Sequence, residues 1–225
     1  MTSALLKPAS SSQRALQELR ERIFNGDLPA GSDHLESELA DLLNMSRTPV
    51  REAVLMLESQ GLLELRPRKG VRILPVSPED MSEIYDVLTE LESLAAERAA
   101  EAGYSGDDLS GLARAIDDMD VALARSDLEA WAAADDRFHS ELVRVGGNSR
   151  IMAIASMMID QVRRARNTTL YMRPLPKKSN DDHRNVLAAI TNGDAETARK
   201  VHRLHREHAK QIIIDLLEKH RLRFL

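Results

Sequence analysis

The chain has 225 residues, 43% of them hydrophobic and 30% charged, with seven histidines and no cysteine. That length and balance suit two modest globular domains, and the missing thiols exclude a disulfide framework, a thiolate metal site and a cysteine nucleophile. Aromatic residues make up only 3%, which argues against the stacking platforms used for single-stranded nucleic acid or RNA; no apolar run approaches the length of a transmembrane helix.

Residues 1–11 lack an apolar signal-peptide core and read as a flexible N-terminal arm, so a cytoplasmic, non-membrane location is expected. Residues 12–75 carry the signals of three helices and a β-hairpin. Glu36 to Leu43 places Leu39, Leu42 and Leu43 at helical spacing. Asn44-Met45 makes a short turn before Ser46-Arg47-Thr48-Pro49-Val50-Arg51-Glu52-Ala53-Val54. Thr48 suits a helix cap, and Pro49 suits the first helical position, where its missing N–H costs nothing. Val50, Ala53, Val54 and Leu57 continue an apolar stripe that Gly61 stops. Arg47 and Arg51 are four residues apart and lie on one face. Two helices joined this way form a helix-turn-helix, whose second helix enters the major groove of DNA by its N-terminal end. Arginine there reads guanine through two hydrogen bonds or clamps a phosphate. Leu62 to Arg66 and Val71 to Leu74 read as two strands around Pro67-Arg68-Lys69-Gly70, making a wing. Arg66, Arg68, Lys69 and Arg72 put four positive charges in seven residues with no acid among them, an arrangement suited to phosphate or minor-groove contact.

The net charge of −5 is compatible with DNA binding because of its distribution. Residues 1–75 hold 10 basic and 10 acidic side chains, and residues 76–225 hold 21 and 26. The acidic second part is repelled by DNA, while the first concentrates its positive charge on the reading helix and wing.

Gly26-Asp27-Leu28-Pro29-Ala30-Gly31, Glu38-Leu39-Ala40, Ser46 to Ala53, Leu57-Glu58 and Gly61-Leu62-Leu63 together resemble the DNA-binding domain of the GntR family of bacterial transcription regulators, over residues 12–75. The resemblance implies a winged helix-turn-helix in which Arg47, Thr48 and Arg51 contact DNA, with Lys69 and Gly70 at the wing tip. Ser37 stands where some members carry a further basic residue.

Residues 76–225 read as an all-α bundle of six helices. Ser77-Pro78-Glu79-Asp80 is a helix start with a Ser cap, an early Pro and acids favoured by the helix dipole. The six apolar stripes are Ile84, Val87, Leu88, Leu91, Leu94 and Ala95; Leu109, Leu112, Ile116, Met119 and Leu123; Trp131, Phe138, Leu142 and Val145; a long stretch from Ile151 to Tyr171; Val186, Leu187 and Ile190, ended by Asn192-Gly193; and Ala195 to Leu217. Met152, Met157 and Met158 read as core filler. Four polar residues fall on inward faces: Asp135 and His139, one turn apart; His183, within the stripe of Val186, Leu187 and Ile190; and His205, beside Val201, Leu204 and Ile212. An amphipathic helix places apolar residues at such positions. The alternatives are hydrogen-bonded core residues or ligands converging on a metal from facing helices. Imidazole and carboxylate donors suit zinc, nickel, iron or manganese. His208 also reads as inward, whereas His34, His202 and His220 read as surface residues.

Asp135-Asp136-Arg137-Phe138-His139, Gly147-Asn148, His183 with Ala188-Ala189-Ile190, Gly193-Asp194 and His205 resemble the FCD ligand domain of the FadR-type GntR branch, over residues 78–217. The resemblance implies a divalent metal held by Asp135, His139, His183 and His205, with open positions beside it for a carboxylate effector or a mimic such as citrate or acetate. Many members carry an arginine four residues before the glutamate that here is Glu92; this chain has Leu88 there. Arg163, Arg164 and Arg166 are the candidate replacements for that carboxylate clamp.

The expectation is a homodimeric transcription regulator that represses by binding operator DNA and responds to a small organic acid. A metal-dependent hydrolase and an architectural DNA binder with a structural bundle are the alternatives. Against the first, no general base, phosphate loop or Ser/His/Asp arrangement accompanies the candidate metal ligands.

Overall fold

The computed structural model describes residues 10–104 and 106–220. They divide into two compact units, one running to Val76 and the other beginning at Ser77.

The first unit contains α1 (Ser11–Asn25), β1 (Asp33–His34), α2 (Glu36–Leu42), α3 (Arg47–Ser59), β2 (Leu63–Arg66) and β3 (Gly70–Ile73). Residues 1–9 of the expected arm lie outside the described residues. Ser10 belongs to the fold: its hydroxyl accepts from the Gln13 N–H while the Gln13 side chain accepts from the Ser10 N–H, a reciprocal cap that satisfies two helix-end donors. Ala15, Leu19 and Ile23 of α1 pack with Leu39, Ala40, Val50, Ala53, Val54 and Leu57 in one apolar core. Leu42, expected inside, is exposed. Helix α3 begins earlier than Thr48 and Pro49 suggest. Ser46 holds the extended cap position, so Pro49 is the third helical residue, where its missing N–H still breaks no helix bond.

The wing has a third strand that the sequence did not reveal. β3 pairs antiparallel with β2, with Arg66 opposite Gly70, and on its other edge with β1, with His34 opposite Val71. Gly70 has a φ of +85°, and a Cβ there would lie 2.3 Å from the His34 carbonyl oxygen. The close approach of β1 to the wing therefore requires glycine at this position.

The second unit is a six-helix bundle: α4 (Pro78–Glu101), α5 (Ser110–Ala124), α6 (Leu128–Val145), α7 (Ser149–Thr169), α8 (Lys177–Thr191) and α9 (Ala195–Lys219), with a 3₁₀ turn at Leu170–Met172. Ser77 caps α4 by accepting from the Asp80 N–H at 2.9 Å, with Pro78 in the first turn. The core gathers Leu112, Ile116 and Met119 of α5, Trp131, Phe138 and Leu142 of α6, and Val186 and Ile190 of α8. One polar chain crosses it. The Trp131 indole N–H donates to Asn180 Oδ1 at 2.8 Å, and the Asn180 amide donates to Asp120 at 2.7 Å. This ties α5, α6 and α8 together one turn from Asp135 and from His183. At Gly146 a Cβ would lie 2.8 Å from Ala95, so a glycine is what lets α6 end directly against α4.

Two expected inward faces are rotated, and on a third helix the methionines expected in the core, Met152, Met157 and Met158, are not buried. On α4 the buried set is Met81, Tyr85, Leu88, Glu92, Ala95 and Ala99, while Val87 is exposed. On α7 it is Ile151, Ala155, Ile159, Val162 and Arg166; Met152 and Met157 are exposed, so they are not core filler. On α9 it is Ala198, His202, His205, Arg206, Ile213 and Leu217, with Leu204 54% exposed. His202 is thus a core residue and His208 an exposed one, the reverse of the sequence reading. Among the described residues no helix is long and apolar enough to cross a membrane.

Candidate functional site

The first unit presents a basic head. Arg47, Thr48 and Arg51 are all exposed along the first turn and a half of α3, above Val50, Ala53 and Val54, which are buried. The wing is less positive than its sequence. Asp33 of β1 lies 3.0 Å from Arg66 and 3.5 Å from Arg72, and Glu64 also faces Arg66 at 3.7 Å. Arg68, in left-handed backbone at φ +64°, and Lys69 stay exposed at the tip. The positive charge left for a polyanion is therefore split between the N-terminal end of α3 and the wing tip.

The second unit encloses a polar cluster. Asp135, His139, His183 and His205 are all buried, and each offers one ligand atom within 4.8 Å of the others. Asp135 and His139 come from α6, His183 from α8 and His205 from α9. His139 Nε2 and His183 Nε2 each lie 3.7 Å from Asp135 Oδ1. That is beyond hydrogen-bond length. His139 Nε2 and both ring nitrogens of His183 have no hydrogen-bond partner. Burial, reinforced by the positive field of the neighbouring groups, holds His183 well below the usual imidazole range and also lowers His205. Both rings are therefore neutral near pH 7, with a lone pair available. Burial opposes the charge on Asp135, but the positive field around it, with the Arg166 guanidinium 2.5 Å away, outweighs burial and keeps the carboxyl ionised.

A second layer surrounds these four. His139 Nδ1 lies 3.1 Å from Glu92 Oε2, and His205 Nδ1 faces Asp182 at 3.6 Å. A carboxylate on one ring nitrogen fixes the tautomer and aims the other nitrogen inward. Glu92 is fully buried and is held by Arg206 through two contacts of 2.5 Å and by His202 Nε2 at 3.3 Å. Burial alone raises a carboxyl pKa, but the Arg206 guanidinium and the histidine contacts reverse this and hold Glu92 well below the usual range. Burial pushes His202 down to about 3, against the pull of Glu92. Glu92, His139 and His202 also lie close enough to share an ion, but both Glu92 oxygens are engaged by Arg206. Glu92 therefore acts as the orienting partner of His139. Sequence reasoning missed Asp182, His202 and Arg206, and it used Glu92 only as a reference point for Leu88.

The sequence of residues 83–208 matches the FCD domain family, and that of residues 11–73 matches the gntR family of bacterial regulatory proteins. The chain is a gntR-family regulator with an FCD domain. It is a sequence-specific DNA-binding regulator with a ligand-binding domain, and its relatives are transcription regulators, not enzymes. An HTH-type transcriptional regulator encoded in the TAR-I ttuE-ttuC' intergenic region of Agrobacterium vitis is 43% identical over 131 residues, covering 57% of this chain and 77% of that one. The gluconate operon transcriptional repressor of Bacillus licheniformis is 32% identical over 150 residues, covering 66% and 60%. Among solved structures, E. coli McbR/YncC superposes with a TM-score of 0.76 at 23% identity, over 95% of this chain and 99% of that one. A GntR regulator of Rhodococcus sp. RHA1 gives 0.74 at 24% identity, over 91% and 98%. At such identities these two likenesses speak for the fold alone.

The three candidate arginines of the regulator go to different places. Arg166 is buried and pairs with Asp135 Oδ2 at 2.5 Å and with Asp136. Arg163 is partly exposed, and Asp136 holds it at 2.8 Å. Arg164 is buried, and burial pushes it down to about 10; it projects about 200° around α7 from Arg166. Leu88, at the position of the absent arginine, is fully buried one turn from both Tyr85 and Glu92.

Proposed function

We propose that this regulator is a metal-dependent repressor of the FadR-type branch that binds operator DNA as a cytoplasmic homodimer and is controlled by a small carboxylate. Its DNA-binding domain would span residues 12–75 and its effector and dimerisation domain residues 76–225. Arg47, Thr48 and Arg51 would read the major groove, and Lys69 and Gly70 would bring the wing backbone and charge to the phosphates. Exposed apolar side chains at Met152, Ile154 and Met157 of α7 supply a surface suited to a subunit interface. Relatives whose names include gluconate operon and D-xylose utilization operon repressors favour repression.

The observation that carries the metal reading is the orphaned inner face of the histidines. A buried imidazole nitrogen without a partner is costly. Here two such rings and an ionised carboxylate point at one spot, with Glu92 and Asp182 behind their partners. Asp135, His139, His183 and His205 would hold a divalent ion such as zinc, nickel, iron or manganese. A bound ion would act there as a Lewis acid that attracts an anionic ligand. The protein's own part is to keep His183 and His205 neutral, Asp135 ionised and the site dry. An effector then changes operator affinity through any difference in its affinity for the DNA-competent and DNA-incompetent states.

The test is elemental analysis of the purified chain, with thermal unfolding before and after chelation. Metal near one per chain, lost together with a fall in melting temperature, is expected. Metal-free protein indifferent to both chelator and added divalent ions would reduce the four residues to a hydrogen-bonded core.

A further inference from the structure

Asn180 lies on the inner face of α8, in line with His183, Val186 and Ile190, and no part of the function above uses it. It is 2% exposed, at a position where an amphipathic helix places an apolar side chain. Both ends of its amide are committed. Oδ1 accepts from the Trp131 indole N–H of α6 at 2.8 Å, and Nδ2 donates to Asp120 Oδ1 of α5 at 2.7 Å. Arg184, one turn further along α8, pairs with the same Asp120 and with Asp181 Oδ1 at 2.7 Å. Helix α8 is thus tied to Asp120 both before and after His183, and to α6 before it.

The candidate ligands differ in what stands behind them. Glu92 faces Nδ1 of His139, and Asp182 faces Nδ1 of His205. Among the described residues nothing plays that part for His183. Neither of its ring nitrogens has a hydrogen-bond partner, and the ring rests on Phe138 of α6 with centroids 4.1 Å apart. With no hydrogen bond to aim the ring, its position is set by packing and by where the helix carries its Cα. Trp131 is one turn before Asp135 on α6, and Asn180 is one turn before His183 on α8. The Trp131–Asn180 bond therefore fixes the register of α8 against α6, and with it the 3.7 Å approach of His183 Nε2 to Asp135 Oδ1. A ligand set works only when its donors are held to within about 0.5 Å by the groups around them.

We infer that Asn180 is the positioning residue of His183. Its bonds to Trp131 and Asp120 do for His183, through the helix, what Glu92 and Asp182 do for His139 and His205 through the ring. This rests on the reading that the cluster holds a divalent ion. An apolar side chain at position 180 would keep the core filled but release α8 to shift against α6, leaving Asp135 and His139 in place and His183 out of register with them.

The test uses the full chain after chelation, titrated with zinc in competition with a chromophoric chelator, and the melting temperature of each metal-free protein is measured alongside. The variants are Asn180→Leu, Trp131→Phe, the two combined, and Ser77→Ala, which removes the α4 cap some 15 residues, or about 22 Å of helix, before Glu92. Asn180→Leu should bind zinc about ten- to a hundredfold more weakly than wild type, and Trp131→Phe should fall between. The combined variant should be no weaker than Asn180→Leu, because the two side chains act through one bond. Ser77→Ala should melt lower yet bind zinc as wild type does. Wild-type zinc affinity in Asn180→Leu overturns the inference. So does an equal weakening in Ser77→Ala, which would make lost stability the whole cause, and so does simple addition of the two single effects in the combined chain. If Asn180→Leu does not fold, Trp131→Phe set against Ser77→Ala decides the matter in the same way. A wild type that binds no zinc sinks the metal reading and the inference with it, whereas zinc bound alike by wild type and Asn180→Leu sinks the inference alone.

Discussion

The two units handle polar groups in opposite ways. Among the described residues, every buried polar or charged side chain lies in the second unit, and the core of the first is wholly apolar. The head keeps Arg47, Arg51 and Lys69 in water, so they add charge without a desolvation cost and each acts nearly alone. The bundle places Glu92, Asp135, Arg166, Arg206 and three close-packed histidine rings, with His202 beside them, where water is excluded. Each of these depends on its neighbours for compensation. Substitutions in the head should therefore lower DNA affinity and leave folding intact, and substitutions in the cluster should do the converse.

Acidification is expected to separate the units most. His183, His202 and His205 are lowered in the folded state, His202 to about 3. Between that value and the unfolded imidazole pKa of about 6.5, the unfolded chain binds more protons, so stability falls as pH drops through this window. The lowered carboxyls of Glu92 and Asp135 extend the loss below their own unfolded values. Urea unfolding of chelated protein from pH 7 to pH 4 checks this; a stability curve flat over that range would show that the histidines are not buried neutral. Next in size is Arg206→Ala, which strips a fully buried carboxylate of its main partner. It should cost about 3–5 kcal/mol of bundle stability, measured by denaturant titration; a loss under 1 kcal/mol would mean that water reaches Glu92.

In the head, Arg47→Ala and Arg51→Ala should each weaken operator binding by about 1–3 kcal/mol if they contact bases, with melting temperature unchanged. Wild-type affinity in a gel-shift titration would remove the residue from the interface. Asp182→Asn leaves the ligands intact and loosens the orientation of His205, so metal affinity should fall about tenfold or more in a competition with a chromophoric chelator. The smallest effect belongs to Asp33→Ala. The pairs it makes are half-exposed, so stability should change by less than about 1 kcal/mol, while loosening Arg66 and Arg72 should steepen the salt dependence of DNA binding.

The legibility of each unit follows from the same contrast. The reading helix, the wing strands and all six bundle helices were legible because apolar periodicity and caps are local. So was the set of Asp135, His139, His183 and His205, although for His205 the supporting face was wrong. On α9, Val201, Leu204 and Ile212 suggested one phase, but around the site the inner face is made of His202, His205 and Arg206. Hydropathy cannot find a face whose burial is compensated by ion pairs from another helix. The spacing of 202, 205 and 206 with Ala198, Ile213 and Leu217 was a usable signal, provided polar residues were allowed inside. The methionines failed for the converse reason: apolar character does not say which face of α7 meets the core. β1 has two residues and no periodicity to read.

The sequence by itself determined the helix-turn-helix with its exposed arginines and the six bundle helices, because these follow from local spacing, caps and turns, and its motifs carried the resemblance to the family. Only the tertiary structure decided that Asp33 pairs with two of the wing's four cations, and that Glu92 is shared by Arg206, His139 and His202. Those facts are sums of charge over side chains far apart in the chain, and only folding brings them within Coulombic reach of one another.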